Sequence, residues 1–358
     1  TETRLRRTRR SAPIEEARTL LDEMEEESPK VLPRRRGGVV KEYVEVFVVV
    51  LAVVFGFRNL FLQPFKIPTG SMHPTLYGIH VTEMEHAGIP NPVKRFFDFL
   101  NYSKRYFDVT IERGGPLEEI RPGQPGIPFF PATIVTIGGV EYKLPGKPKT
   151  VIRHSPKLEA YFRTGRTRPL LFEPGETLSS GTLMLGDHLF VDRTRFCFQE
   201  PERGDVTVFL TDGIEDMGGG SLGGRYYIKR LVGLPGDELR IVDHRLYVRP
   251  KGASEFTPVD DTFDPAFSRI YSFRGGYRGY CHFGQYLTSP GDTFTVPENE
   301  YFMLGDNSEN SKDSRFWGTV PRENLVGRAC FVWWPFSRRW GLVDRVEPLP
   351  VSTPPTRS

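Results

Sequence analysis

Apolar and polar positions divide the chain sharply. Val46 to Phe57 reads VFVVVLAVVFGF without a charge, and the apolar stretch runs from Tyr43 to Leu62 once Glu45 and Arg58 near its ends are admitted. A bilayer core takes roughly twenty helical residues. The uncharged part alone is short enough for a buried helix or strand. Arg58 can snorkel, however, Glu45 stands within a turn of the other end, and Arg34, Arg35 and Arg36 just upstream supply a positive-inside signal. The pattern therefore predicts one N-terminal transmembrane helix over 42–63. A cleaved leader fits less well, because no A-x-A-like site follows the run and the segment before it is long. Residues 1–41 carry arginines at 4, 6, 7, 9 and 10, an acidic stretch from Glu15 to Glu27, then Arg34–Arg36 and Lys41. They are expected to form a cytoplasmic tail, mobile apart from a short helix over Ile14–Glu27, with everything after Leu62 on the far side of the membrane.

From Gln63 onward the periodicity is two. Ala132–Ile137, His188–Val191, Asp205–Leu210, Tyr226–Val232, Leu239–Val248 and Ala329–Trp334 are short alternating or apolar runs separated by Gly, Pro and Asp clusters. Helical spacing is conspicuous only over Val93–Phe107, and no internal repeat is evident. The expected fold class is mainly β.

Composition narrows the functions rather than the fold. Of 358 residues, 48 are Lys or Arg and 45 Asp or Glu, a net charge of +3, so the chain lacks the one-sided basicity of a phosphate-coating protein and no nucleic-acid partner is expected. Cys197, Cys281 and Cys330 lie far apart with no C-x-x-C, which leaves open whether any two pair. Gly218–Gly223 spells G-x-G-x-x-G, but a strand-like run follows where a dinucleotide site needs a helix. Asp306, Ser308 and Asn310 faintly resemble a calcium loop, without its Gly at position six or Glu at position twelve. The seven histidines show no metal-binding spacing, so no metal is expected. Phe331, Trp333, Trp334, Phe336 and Trp340 suit either the rim of a final strand or a membrane interface.

Two positions suggest chemistry. Ser71 lies in PFKIPTGSMHPTL, where prolines 64, 68 and 74 stiffen the loop and Gly70 permits close approach. His73, two residues on, is poorly placed to serve as its base. Lys229 lies in RYYIKRLVGLPGD, where alternation puts Tyr227, Lys229 and Leu231 on one face. Apolar neighbours strip water from such an amine, lower its pKa and leave a neutral fraction able to accept a proton.

The blocks PTGSMHPTL at 68–76, GDHLFVDR at 186–193, YIKRLVGLPGD at 227–237 and GDNSENSKDSRFWG at 305–318 together resemble the type I signal peptidases, in that family's order and behind an apolar N-terminal segment. The resemblance implies a signal-peptidase-like antiparallel β-sheet core over most of 64–335. It implies Ser71 as nucleophile and Lys229 as general base of a Ser/Lys dyad, and the Thr69 hydroxyl, where many members have serine, with the Ser71 N–H as oxyanion hole. Ser311 would orient the lysine, and Asp313 and Arg315 would form a supporting ion pair; Asp306, Asn307 and Ser314 would only shape turns. Phe65, Ile67, Leu76, Tyr227 and Ile228 would line shallow pockets for the small residues that end a signal peptide.

On this reading residues 64–358 form an extracytoplasmic catalytic domain of a single-pass plasma (inner) membrane protein. Its partners would be preprotein signal peptides and membrane lipid, with no cofactor. Two excursions depart from the compact pattern: an insert at 77–183, expected to be β-rich, and a non-catalytic excursion at 238–301. A self-cleaving repressor of similar core would need a helix-turn-helix that is not evident, and an inactive tethered binder would not need Ser71 and Lys229.

Overall fold

The computed structural model describes residues 19, 21–23, 39–82, 88–124, 131–165, 169–274 and 277–345. Thr19 and Leu21–Glu23 are helical; the rest of the expected helix over Ile14–Glu27, and of the tail up to residue 38, lies outside the described residues. The chain divides into two compact units, Thr1–Phe57 and Arg58–Ser358.

Val39–Leu60 is one helix of 22 residues. Its apolar side chains are exposed, Val46, Phe47, Val49 and Phe55 all by half or more. Lys41, Glu42 and Glu45 occupy its first turns and Arg58 its last, and among the described residues no helix is long and apolar enough to cross a membrane.

The second unit is mainly β and antiparallel. Its principal sheet orders the strands Leu62–Lys66, His188–Asp192, Leu325–Trp334, Val206–Leu210, Tyr226–Gly233, Glu300–Leu304 and Val320–Pro321, with Gly341–Leu342 added beside Leu325–Trp334. Leu62–Lys66 is an edge strand, which is why Pro64, lacking an N–H, is tolerated in it. Under this sheet Met72, Leu76, Leu189, Val206, Val208 and Val332 form a closed apolar core.

Residues 77–183 build a three-stranded sheet (His80–Thr82, Thr177–Met184, Lys104–Thr110) and a four-stranded one (Val140–Pro145, Ala132–Ile137, Gly115–Gly123, Leu171–Phe172). The latter has its own core of Val135, Ile137, Leu144, Val151 and Leu158. The helix expected over Val93–Phe107 is instead Pro92–Tyr102: Ser103 adopts a left-handed φ of 58°, its N–H closes onto the Asp98 and Phe99 carbonyls, and the chain leaves as the strand Lys104–Thr110. Periodicity carried the helix too far because Tyr106 and Phe107 are buried strand residues.

The run Leu239–Val248 is likewise a hairpin rather than one strand. Glu238–Val242 pairs with Arg245–Arg249 across Asp243 and His244, both at positive φ, the conformation a two-residue turn demands. Leu239, Ile241, Leu246 and Val248 point into the excursion's own core with Phe267, Ile270 and Tyr280. All three cysteines are free thiols: Cys197 exposed, Cys330 half-buried and Cys281 buried. At the end of Leu325–Trp334, Trp334 donates its ring N–H to the Leu100 carbonyl at 2.7 Å, and beyond that strand Phe336 and Trp340 stand half exposed.

Candidate active site

The principal sheet brings the two chemical segments together. Tyr226–Gly233 pairs with Val206–Leu210, Lys229 opposite Thr207, so Lys229 is held at a fixed register in mid-sheet. The loop leaving the edge strand at Lys66 folds back beneath it: the Ile67 N–H donates to the Asp187 carbonyl at 2.9 Å and the Leu76 N–H to the Met72 carbonyl at 2.9 Å. Lys229 Nζ lies 2.9 Å from Ser71 Oγ and also donates to its neighbour's Ile228 carbonyl at 2.9 Å. Ser71 is 6% and Lys229 4% exposed, so water competes little for either group.

Burial lowers the Lys229 pKa from 10.5 to about 8; the carboxylates of Asp313 and Asp306 pull it back up, and Arg315 pushes it down. Desolvation prevails because neither carboxylate contacts the amine; each is committed to its own arginine. At pH 7 about a tenth of such amines are neutral. His73 fits no base role here: burial lowers its pKa to about 3, its ring stacks on Tyr77 at 4.3 Å, and its Nε2 accepts from the Gly78 N–H at 3.3 Å.

The Thr69 hydroxyl stands 3.4 Å from Ser71 Oγ, and among the described residues no backbone hydrogen bond engages the Ser71 N–H. Thr69 is exposed, its backbone lying against Gly78, where a Cβ would come within 2.2 Å of the Thr69 carbonyl. Ser311 differs from expectation. Its Oγ is buried without a hydrogen-bond partner, and the lysine's second bond goes to Ile228 instead. The Ser311 hydroxyl presses on Gly305, 2.1 Å from where a Cβ would stand, with the Ser71 carbonyl oxygen 2.7 Å from the same point. Gly305→Ala is therefore expected to destabilise the fold by about 1–3 kcal/mol, read as a lower urea midpoint, since even with the hydroxyl turned away the Ser311 Cβ, 2.6 Å off, and the Ser71 carbonyl still crowd the new methyl.

Asp313 and Arg315 are fully buried and paired bidentately, both bonds 2.8 Å. Arg315 further donates to the Cys281 carbonyl (2.7 Å) and to the Ser308 hydroxyl (2.6 Å) and carbonyl (2.9 Å), while Asp313 accepts from the Gly305 N–H at 3.0 Å. Every donor of this buried pair is thus used to hold the segment 305–315 under Ser71. Asn307 completes the contact, its N–H donating to the Ser71 carbonyl and its side-chain amide to the Gly70 carbonyl, both at 3.0 Å. Ser314 accepts from the Met303 N–H at 2.8 Å.

Sequence reasoning missed a second set. Asp306, expected only to shape a turn, takes two 2.8 Å bonds from Arg230, which also reaches Asp264 and the Gly204 carbonyl at 2.8 Å and the Thr75 hydroxyl at 3.0 Å. The Thr75 hydroxyl in turn donates to Asp306. On the other side of the loop Arg339, paired with Asp187, donates to the Thr75 carbonyl at 2.7 Å and lies over the Tyr77 ring at 4.4 Å. Two buried arginines therefore grip Thr75, four residues beyond Ser71. Thr75, Asp187, Arg230 and Asp306 stand inside the four motif blocks, which was the available signal; Asp264 and Arg339 lie outside them.

Of the expected pocket residues, Leu76 is fully buried and Ile67 2% exposed, both within the core beneath the sheet. Phe65 and Ile228 are half-buried against that core, and Tyr227 packs edge-on against Trp317 at 5.5 Å with its ring 5.7 Å from the Lys229 amine. Phe65 also meets Tyr226 at 5.1 Å, so the edge strand and the lysine strand face each other across a short gap. Pairing with Glu300–Leu304 begins only at Arg230, which leaves Tyr226–Ile228 unpaired on that side. Among the described residues no cluster of three or more His, Cys, Asp or Glu side chains is set to hold a metal ion.

Residues 171–334 match the family model described as signal peptidase, peptidase S26. A probable signal peptidase I-2 of Synechocystis is 33% identical over 167 residues, covering 46% of this chain and 63% of the relative, just under two thirds of its length. A signal peptidase I of Pseudomonas aeruginosa is 31% identical over 199 residues, covering 47% of this chain and 67% of the relative. A solved signal peptidase I from Enterococcus faecalis aligns with 25% identity and a TM-score of 0.26, covering 36% of this chain and 97% of that one. On its 31% identity to the Pseudomonas aeruginosa protein over two thirds of that protein's length, the chain belongs to the signal peptidase I family.

Proposed function

We propose that the chain is a serine endopeptidase that removes signal peptides from exported preproteins through an acyl-enzyme, using Ser71 and Lys229 as a dyad. The observation that carries the reading is the 2.9 Å approach of a buried amine, its pKa lowered to about 8, to a buried hydroxyl on a pinned loop. Neutral Lys229 takes the Ser71 proton as Oγ attacks the scissile carbonyl. The developing oxyanion is met by the Ser71 N–H and the Thr69 hydroxyl, donors of a kind worth a few kcal/mol each. Lys229 then gives its proton to the leaving amine, and water releases the acyl group, the lysine again serving as base. Ser311, buried beside the loop with its hydroxyl uncommitted, is assigned to the amine once the Ile228 bond is given up. Asp313 and Arg315 hold that side of the site.

An extended substrate would add to the open edges of Phe65–Pro68 and Tyr226–Ile228, its backbone bonded as an extra strand. Phe65, Tyr227 and Ile228 present the half-exposed surface for small side chains, while Ile67 and Leu76 shape the floor from below. We read Val39–Leu60 as a lipid anchor: its apolar side chains are exposed, and its charges, Arg58 included, sit near the ends, where long side chains can reach the interface.

The test is incubation of the full chain with a preprotein and mass determination of the products. One cut after an A-x-A-like sequence is expected, absent with Ser71→Ala. Turnover by the folded Ser71→Ala chain, or an uncut preprotein with the parent, overturns the assignment.

A further inference from the structure

The helix Pro92–Tyr102 is built inside out. A surface helix ordinarily turns its apolar stripe to the core and its polar face to water. Here Val93, Phe96, Phe97 and Leu100 share one face and are 67%, 61%, 53% and 50% exposed, while the polar Asp98, across the helix from it, and Asn101, at its flank, are half-buried. The orientation is fixed by bonds from the protein side. Asp98 accepts from the Tyr106 hydroxyl at 2.7 Å, and the Asn101 and Leu100 carbonyls accept from the Phe336 N–H at 2.6 Å and the Trp334 ring N–H at 2.7 Å. Both ends are closed as well: the Asn91 side chain caps the first turn through the Lys94 N–H, Pro92 sits at the first helical position, and Ser103 caps the last turn. The helix therefore cannot roll over to hide its phenylalanines without breaking these bonds, and an exposed apolar face of this size marks a contact surface.

Charge identifies the occupant. Over 92–106 the chain carries Lys94, Arg95, Lys104 and Arg105 against the single carboxylate of Asp98, which faces inward. Arg95, Lys104 and Arg105 line a groove with Phe96, Phe99 and Tyr106 beside the apolar face. Two such surfaces would repel each other, which disfavours a second copy. A cationic rim around an aromatic and aliphatic face matches the headgroup and acyl boundary of an anionic bilayer, whose surface potential attracts each basic side chain near it.

We propose that Pro92–Tyr102 is an interfacial anchor that seats the β-rich unit on an anionic phospholipid surface. It lies within 77–183, apart from the dyad, and does not depend on the peptidase assignment. The docking would add to whatever the apolar helix Val39–Leu60 provides.

The test places a reporter in the apolar face of the full chain. Phe97→Trp is conservative at a half-exposed site, and its emission is taken as the difference from the parent, which has four tryptophans. In vesicles of three parts phosphatidylcholine to one part phosphatidylglycerol, the added emission should shift to the blue, and bromines on the acyl chains should quench it by roughly half. In phosphatidylcholine alone, or with Arg95→Glu and Lys104→Glu added, quenching should fall at least about twofold. Solvent-like emission unquenched in the anionic vesicles overturns the proposal. A blue shift that grows with protein concentration without bromine quenching also overturns it, in favour of a second copy. Equal quenching in both lipids removes the anionic specificity.

Discussion

Lys229→Met should fold as well as the parent and lose cleavage by about 10³-fold or more, the loss expected when the group that takes the nucleophile's proton is removed. Methionine keeps the unbranched apolar stem in its place between Tyr227 and the core and deletes only the amine, so a folding defect cannot mimic the result. The parent's kcat/KM should climb about tenfold per pH unit below the amine's pKa of about 8 and level off above it, because only the neutral form can accept the Ser71 proton. The same shift acts on stability with a definite sign. The folded pKa, about 8, lies below the ordinary 10.5, so between those values the unfolded chain binds more protons than the folded one and stability rises with pH. Below about 8 both states are protonated and the full cost of burying the charge is present. Lys229→Met should accordingly gain most over the parent at neutral pH, an advantage that disappears toward pH 10.5. Denaturant midpoints at pH 7 and 10.5 measure this, and an identical difference at both would mean that the amine is not buried as a charge. A pH-independent parent rate across 6–9 would remove the lysine as base.

What the sequence discloses differs between the two halves of this site. Ser71 and Lys229 are 158 positions apart, and no periodicity brings them together; only the paired motifs do. The alternation in Tyr226–Gly233 does say which residues share a face, so the Tyr227 ring beside the amine follows from spacing alone. Arg230, one residue on, is fully buried, and the same alternation sends it to the opposite face, where its partners come from loops at Thr75, Gly204, Asp264 and Asp306 that no local rule connects. Ser311 shows the converse. Its place in a motif marks it out, yet whether its hydroxyl meets the lysine depends on a side-chain rotation that the chain's pattern does not encode. The helix Pro92–Tyr102 marks a third boundary. Its amphipathic spacing is plain from the sequence, but the direction of the apolar face depends on Tyr106, Trp334 and Phe336, residues of other elements.

Arg230→Met should be the most destabilising single change near the site, costing about 3–5 kcal/mol, because it strands Asp306 as a buried carboxylate beside Thr75 with no cation left to meet it. Asp264, 13% exposed at its side chain, can recover solvent; Asp306, whose side chain is at 0%, cannot without moving the segment 306–308. That segment carries the Asn307 bonds to the Gly70 and Ser71 carbonyls, so its displacement loosens Ser71 as well as the fold. The double variant Arg230→Met, Asp306→Leu separates the two effects. With both charges removed and the volume roughly kept, much of the lost stability should return, since a buried ion pair is costly chiefly when only one partner is deleted. The rate should recover less, because the Thr75 hydroxyl then has neither partner and, of the two arginines, only Arg339 still holds Thr75, through its carbonyl. Urea midpoints and preprotein cleavage measured on the same samples decide the matter. Full recovery of both would reduce the arginine clamp to packing, whereas recovered stability with cleavage still depressed would assign it to the placement of Ser71.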